Sequence, residues 1–273
     1  MNSANFQRRI QRYGWDKAAT LYEQSWQDQL KPAQKRLLEM ADFQPGETVL
    51  DIACGTGLVT FPAAEAVGEN GKVIATDISQ SMIDLAGTAA ADRQISNTTF
   101  IRMGGEDLDF PDNSFDAVIC ALGLLYFRDP AKSLEEMFRV LKPGGRAVAA
   151  VWGERKNCGW ADIFPIVDNR VESDVCPMFF NLGNQDTLKL IYQNAGFEGI
   201  CYERLQTLLH YTDEDDACGA AFAGGPVALA YSRFEEETRQ SAHAEYIDSI
   251  SQYRNGSGYY IPGEFVVVSG CKN

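Results

Sequence analysis

ETVLDIACGTG, residues 47–57, is the stretch on which the reading of this chain turns. Thr48 to Ala53 is an apolar run bounded by turn residues, which predicts a buried strand. Cys54-Gly55-Thr56-Gly57 then predicts a tight turn into a helix near Leu58 to Val67. Glycine in such a turn lets a ligand approach the main chain, which side chains would prevent. The same alternation continues outward. Strands are predicted at Lys72 to Thr76, Thr99 to Arg102, Phe115 to Ala121 and Arg146 to Trp152. A helix is predicted near Ser81 to Ala91. Another starts at Asp129-Pro130, an N-cap followed by proline at the first helical position, and is stopped by Pro143-Gly144-Gly145. Upstream, Ala18, Leu21, Tyr22, Ser25 and Trp26 share one helical face, and a second helix covers Ala33 to Ala41 before Pro45-Gly46.

Strand–helix alternation with near-continuously apolar strands predicts an α/β fold: a mostly parallel sheet with helices on both faces. Ligands of such sheets bind beyond the carboxyl ends of the strands, here the loops after Ala53, Thr76, Arg102 and Ala121. Asp77 closes the second strand, 20 residues after Gly57, where a carboxylate accepts hydrogen bonds from both hydroxyls of a ribose. A nucleoside ligand follows. The third glycine of a dinucleotide fingerprint is replaced by Thr60, and Asp51 stands just before the turn. A carboxylate there is unfavourable beside a pyrophosphate but suits a ligand with an ammonium and a sulfonium. That points to S-adenosyl-L-methionine.

Four motifs in order carry a family resemblance: ETVLDIACGTG (47–57), ATDIS with Met82 (75–82), EDLDFPDNSFDAV (106–118) and EEMFRVLKPGGRAVAAVW (135–152). Residues 47–152 resemble class I S-adenosylmethionine-dependent methyltransferases of the ubiquinone/menaquinone-biosynthesis (UbiE-like) type. The resemblance implies a Rossmann-like seven-stranded sheet whose last strand is antiparallel, and methyl transfer. It implies that the backbone from Ala53 through Cys54 and Gly55 to Gly57 lines the methionine half of the cofactor, with Asp51 orienting it. Asp77 would hold the ribose, Ile78 and Met82 would pack on the adenine, and the Gly104–Glu106 turn, Gly105 included, would meet the adenine edge. Ala121 would lie near the sulfonium. Two residues depart from the family pattern. Ala53 stands where glycine is usual. Gly104 stands where many relatives carry an acid, for which Glu106 or Asp107 would substitute.

The expected organisation is one methyltransferase domain over 1–273. It comprises an N-terminal helical cap (1–46), a cofactor-binding core (47–152) and two substrate-side inserts (153–185 and 213–262). Asp186 to Ala195 reads as a helix, Ile200 to Leu205 and Phe265 to Cys271 as strands, and the second insert as mostly helical. Aromatic residues outside the sheet are numerous, and a low-polarity chamber suits a reaction in which a sulfonium charge dissipates. Tyr22, Trp26 and Trp152 are the candidate acceptor contacts, with Trp160, Phe179 and Phe180 nearby in sequence. His210 is the candidate general base, needed for a hydroxyl acceptor and less so for an amine or an activated carbon.

Acidic residues outnumber basic ones 38 to 24, a net charge of −14, which disfavours nucleic acid and other polyanions as partners. Seven scattered cysteines without a CxxC pair, and only two histidines, offer no metal-ligand cluster and read as reduced thiols in a cytoplasm. Met1 to Trp15 is polar without an apolar signal core. The longest apolar stretch, Ala117 to Phe127, falls far short of the ~20 residues that span a bilayer. The partner is thus a small-molecule methyl acceptor, and oligomeric state cannot be read. Two other functions stay open at this point: a nicotinamide-dependent oxidoreductase on a Rossmann sheet, and a non-catalytic S-adenosylmethionine binder.

Overall fold

In the computed structural model, residues 3–172 and 176–273 are described. Residues 1–2, and residues 173–175 of the first expected insert, lie outside them. Five strands, β1 (Thr48–Ile52), β2 (Lys72–Asp77), β3 (Thr98–Arg102), β4 (Phe115–Ala121) and β5 (Leu141–Trp152), pair in parallel. β6 (Glu198–Tyr211) and β8 (Gly258–Cys271) complete the order β3-β2-β1-β4-β5-β8-β6, with β8 antiparallel to both its neighbours. A two-residue strand, β7 (Arg254–Asn255), pairs with the start of β8. The seven-stranded expectation therefore describes the main path, with β7 as an added hairpin.

β1 sits between β2 and β4, so the winding direction reverses there and a crevice opens beyond its carboxyl end. Val49, Leu50, Ala117, Val118, Ile119, Ala147, Val148 and Ala149 are fully buried, as strands covered on both faces must be. The helices between these strands are α2 (Thr60–Val67), α3 (Gln80–Asp92) and α4 (Pro130–Val140). Asp129 caps α4 by accepting from the Lys132 N–H at 3.0 Å, as its sequence predicts. α4 ends at Val140, ahead of Pro143-Gly144-Gly145. That tripeptide lies in a register shift between Phe115↔Leu141 and Ala117↔Arg146, with Gly144 and Gly145 hydrogen-bonded to the backbone of Lys272.

Two expectations are corrected. The separate N-terminal helices are one, α1 (Ser3–Ala41), which runs through Pro32. An interior proline costs about 3 kcal/mol, but Trp26, Leu30, Ala33, Leu37 and Ala41 form an unbroken buried stripe across it. Each large apolar side chain so buried contributes roughly 1.5–3 kcal/mol. The end of α1 is held by Arg146, whose guanidinium donates to the carbonyls of Ala41 and Asp42 and pairs with Glu47 at 2.7 Å. Second, β6 and β8 run to 14 residues each. Their outer halves form a long ribbon whose buried face carries Leu209, Tyr211, Tyr259 and Ile261. This ribbon absorbs the end of what the sequence presents as the second insert. The remainder of that insert is helical as expected: α7 (Glu214–Cys218), α8 (Ala228–Tyr231) and α9 (Glu236–Ile250). The first insert carries α5 (Ile163–Asp168), and α6 (Thr187–Asn194) follows it. No helix among the described residues is long and apolar enough to cross a membrane.

Candidate active site

After β1 the chain turns through Ala53 (φ 58°), Gly55 (φ 55°) and Gly57 (φ 96°). Ala53 holds a left-handed conformation that costs a non-glycine residue about 1–2 kcal/mol. Gly123, in the loop after β4, makes room for its methyl: a Cβ on Gly123 would lie 2.5 Å from the Ala53 Cβ. The departure from glycine at residue 53 is thus matched by a glycine across the crevice. Cys54 turns its side chain away, packing with Ala75 and Ile83, so only its backbone lines the turn.

Asp77 is 7% exposed and points inward. Its two oxygens accept from the Gly55 N–H at 2.9 Å and the Ser79 N–H at 2.8 Å. Burial pushes its carboxyl up to about 6, against the pull of those N–H groups. Asp51 is 1% exposed. Its Oδ2 accepts a 2.6 Å hydrogen bond from the Thr60 hydroxyl, while Oδ1 is buried with no partner among the described residues, as is the Thr56 hydroxyl. Burial pushes Asp51 up to about 7, the Thr60 hydroxyl opposes this, and the nearby Asp77 charge adds to it. Met82 is buried and Ile78 half-buried on the same side of the crevice, beyond β2. Gly105 is packed so closely that a Cβ would lie 2.6 Å from Ile52. The Glu106 carboxylate accepts from the Asp129 N–H at 2.8 Å, and Asp107 pairs with Lys132 at 3.5 Å. Ala121 ends β4, half-buried. Leu122, next in the chain, has φ 63°.

α1 covers this crevice. Asp16 accepts from the Ser79 hydroxyl at 2.6 Å, so the helix is tied to the segment that also binds Asp77. Tyr22 lies over the glycine turn, with Cε1 3.8 Å from where a Gly55 Cβ would stand. Burial and the Asp77 charge push its phenol far up. Trp26, one turn on, belongs to a different neighbourhood. Its ring centre is 6.2 Å from that of Trp152 at the end of β5 and 6.0 Å from that of Trp160. Trp152 and Trp160 are 4.7 Å apart, and Phe179 and Phe180 lie 5.7 Å from Trp160.

The structure thus brings together Asp51, the 53–57 turn, Asp77, Ile78, Met82, Ala121 and Tyr22 on one side, and Trp26 with Trp152 on the other. His210 joins neither group. It sits exposed on edge strand β6, stacked 4.6 Å from Tyr260, and its backbone is clamped by Gln29 of α1. Asp16 and Glu264 were not singled out by the sequence. Asp16 carries no signal beyond a polar residue beside Trp15. Glu264 is a lone acid before Phe265-Val266-Val267-Val268, a pattern that marks a buried, partnered charge.

A doubly wound sheet with a glycine turn, an inward carboxylate at the end of β2 and a second acid behind the turn has the make-up of a class I methyltransferase. The comparisons agree. The ubiE/COQ5 methyltransferase family model matches residues 25–158. The ubiquinone/menaquinone biosynthesis C-methyltransferase UbiE of Salmonella paratyphi B is 33% identical over 183 residues, 62% of this chain and 73% of that protein. Among solved structures, the YcgJ protein from Bacillus subtilis superposes with a TM-score of 0.61 at 17% identity, covering 89% of this chain and 99% of that one. Phosphoethanolamine N-methyltransferase 2 of Haemonchus contortus, in complex with S-adenosyl-L-methionine, gives 0.61 at 18% identity over 94% of this chain and 57% of that one. These two likenesses concern the fold. The chain belongs to the ubiE/COQ5 methyltransferase family, and it is an S-adenosylmethionine-dependent methyltransferase acting on a small molecule. The oxidoreductase and non-catalytic readings fall away with this membership.

The residues present fit that donor. The unpartnered Asp51 Oδ1 and Thr56 hydroxyl are buried polar atoms at the turn, and leaving such groups unpaired costs about 1–3 kcal/mol each. An ammonium-bearing ligand would supply what Asp51 lacks. The two raised carboxyls also set opposite pH trends. A carboxylic acid whose folded value lies above its unfolded value of roughly 4 binds more protons when folded. Its burial cost is therefore present above the folded value and relieved as pH falls through it. Ligand-free Asp51→Asn is expected to melt a few degrees above the wild type at pH 8, with the gap about halved at pH 5.5 and closed only near the unfolded value of roughly 4, because asparagine keeps an acceptor for Thr60 without the charge. Affinity for S-adenosylmethionine should run the other way. In the wild type it should fall roughly tenfold from pH 8 to 5.5 as Asp51 and Asp77 take up protons. Calorimetry at the two pH values checks this, and an affinity that rises on acidification would refute it.

Proposed function

We propose that the enzyme methylates a carbon of a flat, largely apolar ring compound held in the Trp26–Trp152–Trp160 chamber. When bound, S-adenosylmethionine supplies an electrophilic methyl group carried on a sulfonium. The chain's own part is to bind, orient and exclude water. Asp51 and the 53–57 backbone hold the methionine half, Asp77 the ribose, Ile78 and Met82 the adenine faces, and the Gly105-Glu106 segment the adenine edge. Ala121 borders the methyl, and Tyr22 closes the donor side from above. Trp26 and Trp152, with Trp160, form the acceptor wall. In this reading 1–46 is the cap, 47–152 the donor core, and the inserts 153–185 and 213–262 the acceptor side of one domain.

The observation that carries the reading is the chemical character of the buried ring cluster around Trp160. It is built of indole and phenyl rings, and both histidines contact other groups: His210 stacks on exposed Tyr260, and His243 is held by the Tyr231 hydroxyl at 2.9 Å against Phe222. The phenols of Tyr22 and Tyr126 are pushed far up by burial, so they stay protonated. A ring cluster with no histidine among the described residues suits an acceptor that is already nucleophilic, as an activated carbon is, and such positioning contributes several kcal/mol on its own. The C-methyltransferase named above supports carbon as the target. All seven cysteines are free, which supports a reducing, cytoplasmic setting.

With methyl-labelled S-adenosylmethionine, label is expected to pass to hydroxylated naphthalenes and other electron-rich hydroxyarenes. It is not expected to pass to aliphatic amines of similar size. Transfer to the amines alone would overturn the reading.

A further inference from the structure

Trp26 and Trp160 are 6% and 3% exposed, and the indole Nε1 of each is buried without a hydrogen-bond partner among the described residues. An indole nitrogen is a donor only. A buried N–H left unpaired costs about 1–3 kcal/mol, and here two occur in rings whose centres are 6.0 Å apart. Both belong to the wall on the acceptor side. The Trp26 Nε1 faces the Gly224-Gly225 turn that follows α7. A Cβ built on Gly225 would stand 3.6 Å from that nitrogen and 3.4 Å from the Ala220 carbonyl oxygen, ordinary contact distances, so the glycine leaves a methyl-sized space beside the N–H. Tyr22 over the glycine turn and Trp26 among the rings are four residues apart on α1, a rise of about 6 Å, so one helix carries a residue of each group.

We propose that the indole N–H groups of Trp26 and Trp160 donate hydrogen bonds to an oxygen carried on the ring of the methyl acceptor. The proposal rests on the ring-acceptor reading above and adds the functional group that the chamber requires. Two donors with fixed ring planes orient the acceptor about that oxygen. They also reject frames that lack it, because an oxygen-free ring leaves both buried donors unpaired. Burial holds the rings in place, so the discrimination needs no rearrangement.

The test uses the full chain saturated with S-adenosylhomocysteine and two unreactive probes of one shape: α-tetralone, whose carbonyl only accepts, and tetralin, which lacks the oxygen. Tetralone is expected to bind the wild type roughly tenfold more tightly than tetralin, the equivalent of about one net hydrogen bond or slightly more. In spectra of protein labelled with ¹⁵N at the indole nitrogens, the Trp26 and Trp160 signals should move downfield with tetralone and not with tetralin. Trp26→Phe with Trp160→Phe removes both donors and keeps aromatic rings. The tenfold preference should shrink to within about twofold while tetralin binding persists. Gly225→Ala keeps both indoles, fills the space beside Trp26 and should also reduce the preference. If tetralone and tetralin bind the wild type equally, or if the indole signals do not move, the proposal fails although the ring-acceptor reading stands. If neither probe binds the wild type, the ring-acceptor reading itself fails, and the proposal with it. The wild-type spectra decide the matter even where a variant does not fold.

Discussion

Asp77→Asn lowers the affinity for S-adenosylhomocysteine by roughly a hundredfold, measured by calorimetry at pH 8. The aspartate is the one charged group at the end of β2 that faces the crevice. Its oxygens already accept from the N–H groups of Gly55 and Ser79, and each has a further lone pair for a ligand hydroxyl. Hydrogen bonds to a charged acceptor contribute about 1.5–3 kcal/mol, so the loss of the charge-assisted pair to a ribose amounts to a factor of about 100. Asparagine also turns an NH₂ toward one of the two backbone N–H groups, donor against donor, which displaces either the glycine turn or the Ser79 segment. The Ser79 segment is where Asp16 ties α1 down, so the cap loosens with it. Ligand-free stability should change little at pH 8. The variant loses one hydrogen bond, but it also sheds a buried charge whose carboxyl sits at about 6 in the folded protein. An affinity within threefold of the wild type would remove Asp77 from the donor site.

The largest effect on stability is expected at Glu264. Its residue is 2% exposed, and its carboxylate accepts from Arg204 at 2.8 Å, Gln206 at 2.7 Å, Asn157 at 3.1 Å and the Glu154 N–H at 2.9 Å. Arg204 in turn donates to the Gly183 carbonyl at 2.8 Å and to that of Gln185. Two ends of the first insert and the middle of β6 thus meet on one carboxylate. Glu264→Gln leaves a single acceptor oxygen for four donors and reduces the counter-charge of Arg204 to Glu154, 3.9 Å away. Breaking a buried pair from one side costs about 3–5 kcal/mol, and the 26% exposure of the Arg204 side chain argues for the lower end. About 3 kcal/mol corresponds to a fall of roughly 6–12 °C in melting temperature for a domain of this size. Because Glu154 and Asn157 lead directly to Trp160, the surviving folded protein should also bind ring acceptors more weakly, with donor affinity unchanged. A melting temperature within 2 °C of the wild type would show that the network is dispensable.

How much of this was legible beforehand follows from what each feature depends on. The order of strands and helices over 47–152 rests on local patterns: apolar runs of strand length, the Asp129-Pro130 cap and the glycines of the turn. Each acts within a few residues, and each appears in the structure nearly where the sequence puts it. The proposed donor residues are local in the same sense, since Asp51, the turn and Asp77 are fixed by their places at strand ends. α1 broke the local rule at Pro32 because the surface its apolar stripe packs against comes from elsewhere in the chain. The length of β6 and β8 was equally hidden, as Leu208 and Tyr260 on the outer ribbon are exposed, at 60% and 42%, and blur the alternation of a half-buried strand.

The parallel sheet over 47–152, the glycine turn and the acid that follows it were thus legible from local patterns, because backbone geometry and strand ends impose them without reference to distant residues. The tertiary structure alone decided which aromatic rings form the chamber, that His210 faces solvent, and that Glu264 gathers four donors. Those depend on contacts between residues 26, 152, 160, 204 and 264, whose separations along the chain carry no periodic signal, and only the burial of one surface against another selects them.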